Sequence, residues 1–369
     1  TLDQSTVQHN ATRGLVLVQS DAVITNNTFD DHGEEAIRLH TCDQRIGPCQ
    51  PTITANTFTN NATPISLNDS QDPYLSGNEA SHNDANGFLL SNCRFTGEQT
   101  WHAGLPYIVP GWCNMGGYGP VYLTIEPGAV IKIDGGGLVL NWTTLMTATG
   151  TAEEPIIFTS IEDDSVGGDT NNAGDATTPA ANDYHHVLVT GPNASALFEH
   201  AVFRYGGGAQ IGVGPLVLAD YGGRLTMRHC DLGQGETGVA AWREADLTVE
   251  ESAFHDLDHA GLSVQSDAQA HVEGNEFLGM GMGAHVGSGG QVLIVGNRFL
   301  DMEAGVRVSA GHPTLRGNFF QGNTIAVDVE CNPVFVADCA PVVSPENRFV
   351  GSGQQGVVNR HPTEGCVAA

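Results

Sequence analysis

Carboxylates are the residues of this chain whose spacing most suggests chemistry. Asp256 and Asp258 follow Phe254, Asp301 and Glu303 follow Phe299, and the stretch between them, Gly279-Met280-Gly281-Met282-Gly283, carries no acid. If successive stretches stack at the strand spacing of about 4.8 Å, the two pairs stand roughly 9–10 Å apart over a glycine floor. Inverting glycosidases hold their two carboxyls about 6.5–9.5 Å apart, so the alternative catalytic reading is hydrolysis of a neutral polysaccharide, with His255 and His259 beside the acids. Asp31, Glu34 and Glu35 repeat the pattern after Phe29. The competing reading is a solvated corner, because an acidic chain scatters carboxylates over its turns.

A second acidic segment suggests a cation. Asp163, Asp164, Asp169, Asn171 and Asp175 lie in one polar loop with Gly174 at a turn. Oxygen ligands at 169, 171 and 175 match the first half of a calcium loop, which makes Ca2+ the one cofactor expected. Ala173 stands where a further carboxylate belongs, and no Glu closes the loop. Trp101, Trp112, Trp142 and Trp242 are candidates for stacking on sugar rings or for packing. No phosphate-binding loop, nucleophile elbow or His-Glu-x-x-His motif is present.

Charge narrows the partners. The 369 residues hold 14 Lys plus Arg against 42 Asp plus Glu, a formal charge of −28, and Lys132 is the sole lysine. Nucleic acid and anionic membranes are excluded as partners on that balance, and no apolar run reaches the ~18 residues of a membrane span. A lyase needs a cationic groove for an acidic polymer, which the charge opposes. With 47 glycines and 15% charged residues, composition favours β-structure with many turns.

The elements that must position these side chains are written as a repeat. A polar residue, any residue and Phe recur at Asn27-Thr28-Phe29, Asn56-Thr57-Phe58, Cys93-Arg94-Phe95, Ser252-Ala253-Phe254, Asn275-Glu276-Phe277, Asn297-Arg298-Phe299, Asn318-Phe319-Phe320 and Asn347-Arg348-Phe349. From Leu232 of a degenerate copy, the aromatic position steps to 254, 277, 299 and 320, intervals of 22, 23, 22 and 21. Short alternating stretches between them read as strands. Three short strands per ~22-residue coil predict an all-β, right-handed parallel β-helix. Asn27, Asn56, Asn275, Asn297, Asn318 and Asn347 are then expected to form an inward amide ladder, with the Phe column beside it.

From Trp101 to about Gly208 the period is lost. Here Leu123-Thr124-Ile125-Glu126-Pro127-Gly128, followed by Gly150-Thr151-Ala152-Glu153-Glu154-Pro155-Ile156-Ile157-Phe158-Thr159, resembles the opening coils of secreted bacterial right-handed β-helix proteins, a group of carbohydrate-binding and sugar-hydrolase solenoids. The resemblance spans roughly residues 85–210 closely and the other repeats loosely, and it implies fold without specifying activity. Residues 1–100 are accordingly expected to be the last coils of one module, or coils that stack on a neighbour. Residues 101–369 are expected to be a second module, with a start-like segment at 101–160, a long loop at 161–185 and regular coils at 197–369. The chain opens inside repeat sequence, so it reads as a slice of a longer array or a subunit that stacks head to tail.

Cys42 and Cys49 bracket one insertion and Cys331 and Cys339 another, so two local disulfides and an extracellular or cell-surface location are expected. Cys93 and Cys230 occupy the ladder position and are expected inside as small hydrophobes. About five coils, or ~24 Å, separate Cys230 from Cys366, too far for a bridge; Cys366 needs Cys113, a folded-back tail or another chain. Asn10, Asn61, Asn68, Asn141 and Asn193 are candidate glycan acceptors, and Asn26 abuts the ladder. Taken together, the residues favour an extracellular structural protein: a β-helical rod, stalk, adhesin or fibre subunit whose partners are its own copies or cell-surface glycans. The alternative is a glycoside hydrolase, polysaccharide lyase or glycan-binding module.

Overall fold

A computed structural model describes residues 1–43, 49–68, 71–208, 214–330, 339, 341–351 and 356–359. Nearly every element is a short parallel strand, and the one helical turn among the described residues is Gly174–Ala176. Among the described residues no helix is long and apolar enough to cross a membrane. The chain divides into two compact units, Thr1–Pro179 and Ala180–Ala369.

The second unit contains the most regular coils. Each has a first strand, a corner, a short second strand bearing the aromatic residue, a second corner and a third strand. First strands Arg224–Arg228, Asp246–Glu250, Gln269–Glu273, Gln291–Val295 and His312–Arg316 pair in parallel, residue for residue. Alternation explains their stacking: Leu247, Val249, Val272, Val292 and Ile294 point inward and are buried, while the residues between them face out. On the second strands Phe254, Phe277, Phe299, Phe320 and Phe349 are directly in register. Their rings lie parallel at centroid spacings of 4.6, 4.9, 4.9 and 5.2 Å.

Each ring also needs room on its flank. A Cβ added at Gly261 or Gly283 would lie 2.4 Å from Cδ1 of Phe277 or Phe299, and one at Gly305 2.6 Å from Cδ1 of Phe320. Glycine at the head of the third strand therefore makes the space that the next coil's ring fills.

The ladder occupies the first corner. Asn275, Asn297 and Asn318 each donate from backbone N and from Nδ2 to the Oδ1 of the ladder residue in the following coil, at 2.9–3.1 Å. Their Nδ2 atoms also donate to the carbonyls of Val249, Val272 and Ile294. Ser252 performs the same role with a hydroxyl, its Oγ accepting from the Cys230 amide at 3.0 Å. An unanswered buried donor or acceptor costs ~1–3 kcal/mol, which is why polar side chains persist inside this core.

In the first unit, first strands Leu2–Asp3, Val23–Thr25, Thr52–Thr54 and Tyr74–Ser76 form one sheet, and second strands Thr6–Asn10, Thr28–His32, Thr57–Thr59 and Glu79–Ser81 another. Phe29 stacks on Phe58 at 5.2 Å, and Asn27 donates to Asn56, which donates to Asn78. The fourth coil departs from the expected phrase, which the sequence offers next at Cys93-Arg94-Phe95. Its ladder residue is Asn78, and Ala80 takes the aromatic position, in register with Phe58. Phe95 instead meets Trp101 edge-on at 6.5 Å.

Near residue 100 the packing does not break. The first two sheets end at Ser76 and Ser81, and a new first sheet begins with Gly97–Trp101, pairing with Val121–Ile125 and then Thr144–Thr149. The third sheet runs on through Phe88–Leu90, Tyr107–Met115, Val130–Asn141 and Ile156–Ser160. Two sheets end and a new one begins where the module boundary is expected, and the division into compact units falls in the long loop at Pro179/Ala180.

Candidate functional site

The corner carboxylates are positioned by backbone conformation. Two residues after each aromatic position the chain turns through the left-handed region: Asp31 (φ 58°), Asn60 (57°), Asp256 (51°), Gly279 (67°), Asp301 (57°) and Gly322 (70°). Gly, Asn and Asp are the residues that enter this region most readily, so acid and bare glycine are equivalent solutions to one turn. The glycine floor between the two acid pairs is the same position as the acids themselves. Asp256, Asp258, Asp301 and Glu303 are all exposed. His255 is held by Asp256 (2.9 Å) and by Asp231 of the preceding coil (3.1 Å). Partial burial pulls its pKa down, but hydrogen bonding to Asp256 and the charge of Asp231 outweigh this and raise it. Glu303 contacts Arg307 at 3.3 Å, and Arg307 in turn meets the buried Asp328 at 3.3 Å.

The acidic loop is built on its own backbone. Asp163 is buried, its Oδ2 accepting from Thr159 Oγ1 at 2.6 Å and its Oδ1 from the amide and hydroxyl of Ser165. Asp169 accepts from the amides of Ala173 and Gly174, and Asn171 Oδ1 also accepts from Ala173 N, which shapes the turn leading into Gly174–Ala176. Among the described residues the carboxylates of Asp163, Asp164, Asp169 and Asp175 do not bring three oxygens within 4.8 Å of one another. In this arrangement the oxygens of Asp163, Asp169 and Asn171 accept turn-forming hydrogen bonds.

Cys42 and Cys49 are disulfide-bonded, with Cα atoms 6.0 Å apart. Cys93 is not the inward-facing thiol expected from its place in the phrase. It pairs with Cys113 across a Cα distance of 5.2 Å, because the chain leaves the repeat at this point to begin a new sheet. That pairing also removes Cys113 as a partner for Cys366. Cys230 does occupy the ladder position as a free, buried thiol, and burial pushes its pKa up to about 12. Cys339 is disulfide-bonded, while Cys331 and Cys366 lie outside the described residues.

Among the sequons, Asn10 and Asn193 are exposed and Asn68 and Asn141 half-buried. Asn61 is 2% exposed and its amide is spent inside the core, which removes it from the acceptor candidates. Trp101 is buried against Tyr107, with ring centroids 4.9 Å apart, whereas Trp112 and Trp142 are exposed.

Three arrangements were not read from the sequence. One is a second amide column in the first unit: Asn61 Oδ1 accepts from the His32 amide, Asn83 Oδ1 from Asn61 and Asn86 Oδ1 from Asn83. Its signal was a polar residue three places after the aromatic position. The second is a shallow groove of about 350 Å³ on the outer face of the first strands, where Asp246, Thr248, Gln269, His271, Gln291 and His312 present polar side chains. The third is Glu199, His200 and His229, one ligand atom of each lying within 4.8 Å of the others. Its signal was a pair of histidines at equivalent positions, three before Phe203 and three before Leu232.

Comparison with curated proteins and with solved structures returns no match. The family described as right handed beta helix region matches residues 1–98 and 215–364, about two thirds of the chain. Its match falls on the regular coils and leaves out residues 99–214, which contain most of the segment whose phrases suggested the resemblance. With parallel coils stacked in register through both matched stretches, the chain belongs to the right-handed β-helix repeat family.

Proposed function

We propose that this chain is an extracellular structural protein, a β-helical stalk, adhesin or fibre subunit whose task is mechanical. The observation that carries the reading is the pair of spines: amides and Phe rings matched from coil to coil, with Asp256 and Asp301 outside them at left-handed turns. The disulfides Cys42–Cys49 and Cys93–Cys113 support an oxidising compartment. A charge of −28 supports solubility of a long surface and suits it poorly to anionic polymers. Head-to-tail stacking of copies belongs to the same reading.

The groove over Thr248, Gln269, His271 and Gln291 favours one second reading, binding of a neutral glycan along the outer face of the first strands. Negative-stain microscopy and a reducing-sugar and glycan-array screen on the purified chain separate the two. Polymer or surface attachment without turnover supports the structural reading. Sugar release abolished by Asp258→Asn or Glu303→Gln would replace it with a hydrolase.

A further inference from the structure

The corner that precedes the ladder places one residue per coil in the left-handed region. In the second unit these are His200 (φ 49°), His229 (50°), Glu251 (48°), Gly274 (69°), Gly296 (64°) and Gly317 (64°). Glycine enters this conformation without steric cost, whereas a side chain with a Cβ is strained there. Three successive coils nevertheless carry metal-ligating side chains where the next three carry glycine. The imidazoles of His200 and His229 face each other with centroids 4.8 Å apart and planes 12° from parallel. Glu199 completes the group, one ligand atom from each residue lying within 4.8 Å of the others, and Glu251 Oε2 lies 3.4 Å from His229 Nδ1.

We propose that Glu199, His200 and His229, with Glu251 in reach, bind a divalent transition-metal ion of the zinc type and so clip consecutive coils together. Two imidazoles with one or two carboxylates suit Zn2+, Ni2+ or Cu2+, whereas calcium takes oxygen ligands alone. Donors bound at ~2.0–2.1 Å to a tetrahedral ion stand about 3.3 Å from one another, so these side chains close in by rotating about χ1 and χ2. They have the freedom to do so, the His229 side chain being 39% exposed and that of Glu251 68%. Arg228, in register with Glu199, donates its Nε to Glu250 at 2.7 Å. An open depression of about 670 Å³, bordered by His229 and Glu251, leaves space for water in the remaining coordination positions.

The test is titration of the EDTA-stripped full chain with Co2+ and then Zn2+, followed by absorption spectroscopy and calorimetry. Expected are one saturable equivalent, cobalt d–d bands that Zn2+ removes, and a melting temperature that rises with metal. His200→Gly and His229→Gly place at each corner the residue that later coils use, so both variants should fold and melt normally without metal. Each should weaken binding by more than the ~10–100-fold typical of an outer-shell change, while His185→Ala should leave it intact. Absence of saturable binding, or a stoichiometry and spectrum unchanged in the His200→Gly/His229→Gly double variant, overturns the site.

Discussion

The coils of residues 1–83 and those of residues 253–350 follow one plan but close their second corner differently. Three residues after the aromatic position, the first set carries His32, Asn61 and Asn83, all buried, linked through amide oxygens. The second set carries Leu257, Met280 and Met302 before Asn323. Asn323 donates to Phe299 O and accepts from Met302 N, serving the same backbone groups that Asn61 serves in its own coils. At the first corner no such substitution by apolar side chains occurs among Asn27, Asn56 and Asn78, or from Ser252 to Asn347. From Ser252 to Asn347 a polar side chain is kept at the first corner, whereas at the other a long flexible thioether can fill the same space.

The largest effect tests whether the aromatic spine bears similar weight in both sets. Phe277→Ala should destabilise the second unit by ~3–5 kcal/mol in chemical denaturation, because neighbours on both sides stay fixed by their own stacks. An equal loss from Phe29→Ala, whose ring has only Phe58 as a stacking partner, would break the distinction between an interior and a terminal ring.

Next comes the column at the second corner. Asn61→Leu leaves the amide of His32 and the carbonyl of Phe29 without their side-chain partner, and should cost ~2–3 kcal/mol by the same measurement. A loss below ~0.5 kcal/mol would show that the first unit tolerates an apolar corner as readily as the second.

Acid should act through buried imidazoles. Burial pulls His285 down to about 4, with His259 and Arg307 adding repulsion, so it is neutral when folded and takes up a proton on unfolding below its ordinary value of 6.5. The stability tied to this group is complete above pH ~6.5 and declines toward pH ~4, by ~1–3 kcal/mol after allowance for its partial exposure. His285→Gln should flatten that part of the pH–stability curve, and an unchanged slope would remove His285 as its cause. His32 is lowered by burial too, so His32→Asn, which extends the amide column by one member, should reduce the corresponding loss in the first unit.

The smallest effect is the most discriminating. Met302→Asn sets an amide beside Asn323 and should change stability by less than ~1 kcal/mol, with Met280 N–H gaining protection from hydrogen exchange. A loss of several kcal/mol would mean that the later coils need the volume of the thioether, and that the two corners differ in shape as well as in chemistry.

The repeat was legible because three signals share one period: Asn at the corner, Phe two places later, and alternation along the first strand. The fourth coil escapes the pattern because its Asn78-Glu79-Ala80 lacks the ring, while Cys93-Arg94-Phe95 imitates the phrase just where the chain departs from it. The sequence records the acids Asp256 and Asp301 but not the left-handed turns that they occupy. In the acidic loop the sequence is equally silent, since the oxygens of Asp169 can answer backbone amides as well as a cation. The His200 and His229 pairing stayed hidden because the two stand 29 positions apart, out of the 22-residue step.

The side-chain-to-side-chain ladder bonds all run the same way, each Nδ2 reaching toward the Oδ1 of the coil that follows while also holding a carbonyl of the coil before. Such a column has a vector, and its two extremities differ in chemical polarity. The leading side offers an oxygen, as Asn27 offers one to the Ser5 amide, whereas at the trailing side the nitrogens of Asn347 turn back to the carbonyls of Leu315 and Ser344. Any segment that lengthens the pile, whether grafted by an engineer or recruited in nature, must match the sense of that vector. Inverted additions would meet like with like and be refused.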